Sequence, residues 1–319
     1  MIKKLKLTYL LYNLFHPNQL RHNLPFYKQL GLRKRYFSPI SSSDFESVDE
    51  NLLKKDTKNL SVSATALYQS ADEATQKSTL AYDENGYIKL ANYLSHAQVD
   101  EVNAVIETGL ANKELRFKNG NKIMFAIHQF DVLKQIGLNN ELTTFLSALL
   151  GGEAILFQSI NFIQGSEQPT HSDSIHMTTF PLGGLLGVWI ALEDITEENG
   201  PLHYYPGSHK LPYYLNSDYD NKGNTLFLGD KTYKAYEQMI DQKIAAAQLK
   251  KETFLAKKGD VLIWHANLFH GGEPHINKDK TRKSMVFHYY QSNSICYHEI
   301  TQRPALLKRV QSIKKSILF

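Results

Sequence analysis

The run PTHSDSIHMTTFP, residues 169–181, sets His171, Asp173 and His176 within six positions. In an extended strand, residues two apart project from the same face. His171 and Asp173 are therefore expected to point one way and His176 the other. An imidazole beside a carboxylate makes two-thirds of the two-histidine, one-carboxylate arrangement that grips one face of a non-haem Fe(II) and leaves its other positions open. Alone, the His-x-Asp spacing equally describes a polar strand edge, so a third ligand is required. The stretch GDVLIWHANLFHGGEPH offers His265, His270 and His275. His270 stands before Gly271 and Gly272, where missing side chains allow a close approach. Twelve residues beyond it, Arg282 opens the run RKSMVFHYY. A guanidinium there could take a carboxylate through two parallel hydrogen bonds. His-x-Asp, a long gap, His and then Arg is the order that an Fe(II) site using a dicarboxylic co-substrate would need.

Other polar residues have milder readings. His176 is expected to have a structural or substrate-side role, His265 to be an ordinary buried histidine, His275 to sit in a loop, and His209 in PGSHK to fix a turn. Gln158 and Asn161 could meet the open coordination face or the co-substrate. Lys118 and Lys122 are carboxylate contacts at best and surface charges otherwise. Of Tyr204 and Tyr205, alternation sends one inward.

The elements that must carry these residues are visible in outline. ENGYIKLANYL reads as a short strand. Ser95 with Gln98 three positions on forms a capping-box pattern for a helix striped by Val99, Val102, Ile106 and Leu110. A second helix, NELTTFLSALLGG, should stop at Gly151 and Gly152. Strand-like runs follow (AILFQSINFI, GLLGVWIALEDI, LHYYPGSH, DVLIWHANLFHGG, KSMVFHYYQS), separated by turn signals at Asn199-Gly200-Pro201 and Pro206-Gly207. Residues 231–251 read as a helical or mobile insertion. Helices first and strands later predict an α+β organisation around a β-sandwich or barrel.

Composition limits the alternatives. A chain of 319 residues with 42% apolar content can bury a substantial core. The single cysteine, Cys296, excludes an intramolecular disulfide and a cysteine-rich zinc cage, and suits a reducing, cytoplasmic setting. The opening MIKKLKLTYLLYNLF has a basic start and an apolar run but no small-residue cleavage site, so it is expected to belong to the working protein. Residues 1–43 hold eight Lys or Arg and no acid; residues 303–319 hold five and none. The rest carries 23 bases against 32 acids, so the net charge of +4 belongs to the ends. Residues 1–80 are accordingly expected to be a basic extension and a loose linker (36–75). Residues 81–302 should form the main domain, and 303–319 a basic amphipathic helix. Such ends could rest on an anionic membrane surface. Aromatic–basic interleaving is missing, and nucleic acid is not an expected partner.

Between about residues 83 and 292 the sequence resembles the phytanoyl-CoA dioxygenase family of Fe(II)- and 2-oxoglutarate-dependent oxygenases. The resemblance rests on NGYIKLANYLS, HSD, GVWIALEDITEENGPLHYYPGSHK, KGDVLIWHANLFHGGEPH and TRKSM. It implies a double-stranded β-helix, or jelly roll, with helices outside. It implies Fe(II) on His171, Asp173 and His270, 2-oxoglutarate with its distal carboxylate on Arg282 and Trp189 as a wall, dioxygen as oxidant, and hydroxylation of an unactivated C–H bond in a small molecule. Asp173 argues against a halogenase, which needs a small residue there to admit chloride. The alternative is a non-catalytic jelly-roll protein that binds a metal or ligand.

Overall fold

The computed structural model describes residues 4–53, 60–308 and 310. Its strands run in chain order as β1 (Tyr87–Leu90), β2 (Phe117–Lys118), β3 (Lys122–Met124), β4 (Ala154–Phe162), β5 (Thr178–Phe180) and β6 (Leu185–Ala191). After them come β7 (Leu202–Tyr204), β8 (Glu252–Phe254), β9 (Val261–His265), β10 (His270–Gly272), β11 (Ser284–Gln291), β12 (Ile295–His298) and β13 (Arg303–Pro304). Seven strands make one sheet in the order β1-β9-β6-β11-β4-β3-β2, while β10-β7-β8 and β13-β12-β5 form two smaller sheets.

Strands β6 and β11 are buried along their whole length, which explains why their sequences are almost unbroken apolar runs. On one face of the large sheet, Val188, Ile190, Ile263, Met285 and Phe287 join a core with residues of the helices His96–Ala111 and Asn140–Leu150. On the other face, Trp189, Leu262, Trp264 and Val286 pack with Leu202, Tyr204 and Phe254 from β7 and β8. The result is a helix layer, a large sheet and a facing layer of small sheets: the expected α+β jelly roll. The two sheet layers enclose the cavity described below.

Local chemistry sets the helix ends as expected. The Ser95 backbone N–H donates to Gln98 Oε1 at 3.0 Å, and the Gln98 N–H donates to Ser95 Oγ at 3.3 Å. Gly151 closes the second helix at φ 65°, a conformation glycine adopts without strain. The insertion contains the helix Tyr233–Ala246. Among the described residues, no helix is long and apolar enough to cross a membrane.

Two expectations need correction. The N-terminal segment is not a loose linker. Tyr27, Leu30, Ile40, Phe45 and Leu53 form a core cluster with Phe180, Ile295 and Tyr297 of β5 and β12. Phe45 stacks on Phe180 with ring centroids 4.1 Å apart, and the Ser42 N–H and hydroxyl both donate to the buried Glu299 carboxylate. The serine-rich composition suggested a loose connection, but spaced apolar residues in this stretch find a sheet to cover. Nor does a helix begin at residue 303. Arg303 and Pro304 pair with His298 and Tyr297, and residues 305–308 form no helix. Pro304 has no N–H and already sits in the ladder, so helical periodicity downstream does not propagate back through it. Residue 309 and residues 311–319 lie outside the described residues.

Phe45→Ala tests the packed N-terminal segment. Removing a buried, stacked phenylalanine should cost about 3 kcal/mol, read as a lower urea midpoint at unchanged slope. An unaltered midpoint would restore the linker reading.

Candidate metal centre

His171 and His270 are tied by one antiparallel bridge, each backbone N–H donating to the other's carbonyl at 2.9 Å. The chain then tightens: Asp173–Ile175 is a 3-10 turn. Ser172 supports it, its hydroxyl donating to the Ala266 carbonyl at 3.0 Å and accepting from the Ser174 N–H at 3.2 Å. His171 and Asp173 therefore converge through a bridge followed by a turn, not through the regular strand alternation expected. The same turn swings His176 to the cavity instead of the far side.

The Nε2 atoms of His171 and His270 each lie 3.8 Å from Asp173 Oδ1. Ligand atoms of the three residues all fall within 4.8 Å of one another, and all three side chains are buried. Two ligands bound at about 2.1 Å to one ion sit up to about 4 Å apart, so the two 3.8 Å separations lie within reach of a single metal. Protonation fits as well. His171 Nδ1 is 2.9 Å from the Pro169 carbonyl, and His270 Nδ1 is 2.9 Å from the Leu268 carbonyl. A carbonyl can only accept, so each Nδ1 carries a hydrogen and Nε2 is the ring nitrogen turned toward Asp173. Burial, and then the neighbouring His270, hold the His171 pKa well below the usual imidazole range, so its ring stays neutral. Burial opposes charge on Asp173, but His270, His288 and His171 outweigh it and keep the carboxyl well below the usual carboxylate range. A neutral His171 beside an ionised Asp173 offers a ring nitrogen and a carboxylate oxygen that a divalent cation takes without first displacing protons.

The Trp264 indole N–H donates to Asp173 Oδ2 at 2.8 Å, which leaves Oδ1 for the metal. His288 Nε2 stands 3.7 Å from the same Oδ2. Gly187 lies opposite Trp264 in the β6–β9 pairing. A Cβ at Gly187 would come within 2.3 Å of the indole, so only glycine lets the ring lie there. Gly271 lines the cavity described below, and a Cβ there would meet the Gln168 carbonyl and the His203 ring, each at 2.7 Å, so the glycine also lets these protein groups close in.

The triad opens into a cavity of about 550 Å³. Arg282 lines it, 3% exposed, with its guanidinium carbon 5.7 Å from the Phe162 ring centroid and 5.8 Å from that of Trp189. Among the described residues its Nε has no hydrogen-bond partner, and one terminal nitrogen donates only to Ser284 Oγ at 3.4 Å. Burial pushes its pKa down to about 10, against the pull of Glu193, so it remains a cation at neutral pH. A buried cation with idle donors is costly unless an anion meets it. Trp189 and Gln158 both line the cavity.

Asn161 does not belong with Gln158. Along β4 the cavity is lined by Gln158, Ile160 and Phe162, so Asn161 takes the opposite face. His265 stands apart beside His209 and accepts the Asn267 N–H at 3.1 Å. His275 is held by Glu167, to which its backbone N–H donates at 3.1 Å. His209 contacts the Asp83 carbonyl at 3.2 Å within its turn. Lys118 and Lys122 both line the cavity, and His176 meets the Tyr233 hydroxyl at 3.0 Å. Sequence reasoning missed Trp264, His288, Gln168 and Tyr233. A signal for Trp264 was available: a lone glycine inside the apolar run LLGVWIA marks a place where something presses close.

Trp264→Phe keeps a flat ring but removes the donor to Asp173. Lost outer-shell partners typically cost about 10- to 100-fold in metal affinity, and a metal titration should show a fall in that range. Unchanged affinity would mean that the indole only packs.

Comparison with known proteins places this geometry in a wider group. The pattern of the Phytanoyl-CoA dioxygenase (PhyH) family matches residues 82–284. Phytanoyl-CoA dioxygenase domain-containing protein 1 of Bos taurus is 26% identical over 206 residues, covering 60% of this chain and 66% of its own length. Its Danio rerio counterpart is 29% identical over 182 residues, covering 54% of this chain and 58% of its own. Among solved structures, the non-heme alpha ketoglutarate dependent carbocyclase SnoK from nogalamycin biosynthesis aligns with a TM-score of 0.57 at 18% identity, over 72% of this chain and 87% of its own. EctD from S. alaskensis with bound Fe aligns at 0.56 and 20%, over 76% and 86%. At such identities the structural likeness is one of fold. The family match spans more than half of the sequence and takes in all three clustered ligands and Arg282, and the chain belongs to the phytanoyl-CoA dioxygenase family.

Proposed function

We propose that the protein is an Fe(II)- and 2-oxoglutarate-dependent dioxygenase that hydroxylates an unactivated C–H bond of a small molecule. The observation that carries this reading is the pairing, in one cavity, of a buried His171-Asp173-His270 cluster with an Arg282 guanidinium whose Nε has no hydrogen-bond partner among the described residues. His171 Nε2, His270 Nε2 and Asp173 Oδ1 would hold the metal on one face. Arg282 would take the distal carboxylate of 2-oxoglutarate, with Trp189 and Phe162 as walls and Gln158 near the open face. Bound together with dioxygen, the iron and the keto acid supply oxidative decarboxylation to succinate and carbon dioxide, with the second oxygen atom available to the substrate. The chain itself orients both groups and keeps bulk water from the reacting atoms. A cytoplasmic setting is part of the proposal, in keeping with the buried, unpaired Cys296.

The non-catalytic alternative separates cleanly from this one. An oxygenase must release succinate from 2-oxoglutarate and deliver a product one oxygen atom heavier than its substrate; a binding protein does neither. Peripheral membrane contact is a further part of the proposal, supported by Leu7, Leu11 and Phe15, which are exposed on or beside the helix Lys6–Leu14. Failure to sediment with anionic vesicles would remove it.

His171→Ala, Asp173→Ala and His270→Ala should each abolish tight Fe(II) binding with the fold retained, while His265→Ala should leave it nearly intact. Loss of iron with His265→Ala and not with His270→Ala would move the third ligand. Arg282→Ala should spare iron but weaken 2-oxoglutarate. Truncating one member of a buried charge pair costs about 2–5 kcal/mol, or roughly 30-fold to several thousand-fold. The check is an anaerobic titration of the Fe(II)-loaded protein that follows the metal-to-ligand absorption band. Equal affinity in the variant would give Arg282 another role.

A further inference from the structure

We propose that the protein has a second binding site, for the phosphate group of a polar molecule, in the cleft where its two acid-free ends meet the body at His128 and Lys134. The site stands apart from the oxygenase reading, since its lining shares no residue with the cavity of the metal centre.

Three separate stretches of chain build this cleft of about 510 Å³. The N-terminal segment brings Gln19 and His22, with Asn18 beside them. The body brings His128 from the turn Ala126–His128 and Lys134 from the helix Asp131–Gly137. Lys308 comes from the segment after β13, and the neighbouring Leu307 N–H donates to the Gln19 carbonyl at 3.1 Å, which joins the two ends. Among the described residues, the lining holds two lysines, two histidines, two amide residues, a leucine and no carboxylate. The sequence explains the imbalance. Residues 1–43 and 303–319 contain no Asp or Glu, so neither end can carry an acidic side chain into the cleft.

Other lysines of this chain meet carboxylates across long separations, as Lys257 does Asp194, Lys258 does Asp100 and Lys283 does Glu107. Lys134 has only Asp131 of its own helix, at 2.7 Å, and that residue does not line the cleft. Among the described residues, Lys308 has no acidic partner. Both lysines stand close enough to His128 to be felt there: burial first, then Lys308 and Lys134, lower its pKa. His128 Nε2 is buried and has no hydrogen-bond partner among the described residues. A cleft that gathers like charge around an unanswered ring nitrogen is costly unless an anion enters it.

The donor set favours phosphate over carboxylate. A carboxylate is gripped best in one plane by the fork of an arginine, and no arginine lines the cleft. Lysines act as point charges, and donors arriving from three stretches can meet the oxygens of a tetrahedral group. The volume is that of a small-molecule pocket and not of a bare ion, and the polar lining suits a hydrophilic body such as a glycerol or sugar unit. A phosphate bound there would tie both basic ends to the body.

Inorganic phosphate, glycerol 3-phosphate and glycerol are titrated calorimetrically into the full chain in a phosphate-free buffer. Vesicles of phosphatidylcholine carrying phosphatidic acid supply the same group from a lipid. At least one phosphate-bearing probe should bind where glycerol does not, and added salt should weaken it. Lys134→Gln and Lys308→Gln should each weaken that probe about fivefold, the scale of a partly exposed charge pair. Lys257→Gln, whose ammonium pairs with Asp194 outside the cleft, should leave it unchanged. Binding of the soluble probes makes the ligand a free phosphate compound; vesicle binding alone, weakened by the same two substitutions, makes it a lipid head group. The proposal is overturned if no probe binds, if glycerol binds as tightly as glycerol 3-phosphate, or if either cleft substitution leaves the affinity unchanged.

Discussion

The two oxygens of Asp173 have different duties, and the rest of the site depends on keeping them apart. Oδ2 accepts the Trp264 indole N–H, so Oδ1 is left facing the Nε2 atoms of His171 and His270 at equal distance. A carboxylate free to rotate would spend part of its time aimed elsewhere and would weaken any metal bound there. The indole holds it, and the indole in turn holds its place because Gly187 on the neighbouring strand has no side chain. The histidines are fixed by one device used twice: each Nδ1–H donates to the carbonyl two residues upstream, from Pro169 and from Leu268. The backbone bridge between His171 and His270 then locks the two local arrangements to each other. The geometry is therefore supported by protein contacts on every ligand.

Charge distribution gives the cavity its direction. The triad presents one negative charge, while Arg282, Arg303, Lys118 and Lys122 line the same cavity with positive charge. The low-polarity surroundings make each of these charges count for more than on the open surface. The large sheet makes this possible because helices cover one of its faces and the small sheets the other. Strands β6 and β11 can then carry Trp189 and His288 into the cavity from an otherwise apolar wall. The N-terminal segment completes the enclosure by covering β5 and β12, which bear Phe180, Ile295 and Tyr297.

Much of this was written in local patterns. The Ser95–Gln98 box, the Gly151 stop and the apolar runs that became β4, β6, β9 and β11 depend on neighbours in sequence, so composition and spacing revealed them. His171, Asp173, His270 and Arg282 stood out because their residue types in that order suit a metal with a dicarboxylic co-substrate. The sequence could not say how His171 and Asp173 meet. A strand and a bridge followed by a turn place both residues on one side, and only the second also brings in His176. Asn161 was misplaced because strand alternation excludes it once Gln158 is known to face inward, and which parity faces inward is set by the sheet packed above.

Residue types and spacing set out the chemistry available: two imidazoles, one carboxylate, a guanidinium, and the apolar strands that could bury them. Which atom of each is turned to the site was settled by packing. That choice rests on contacts between residues far apart in the chain, such as Trp264 with Asp173, Gly187 with Trp264 and Arg303 with the wall of the cavity. A hydrogen bond across about ninety positions leaves no periodic trace in the sequence, because its partners meet only after the sheets have packed.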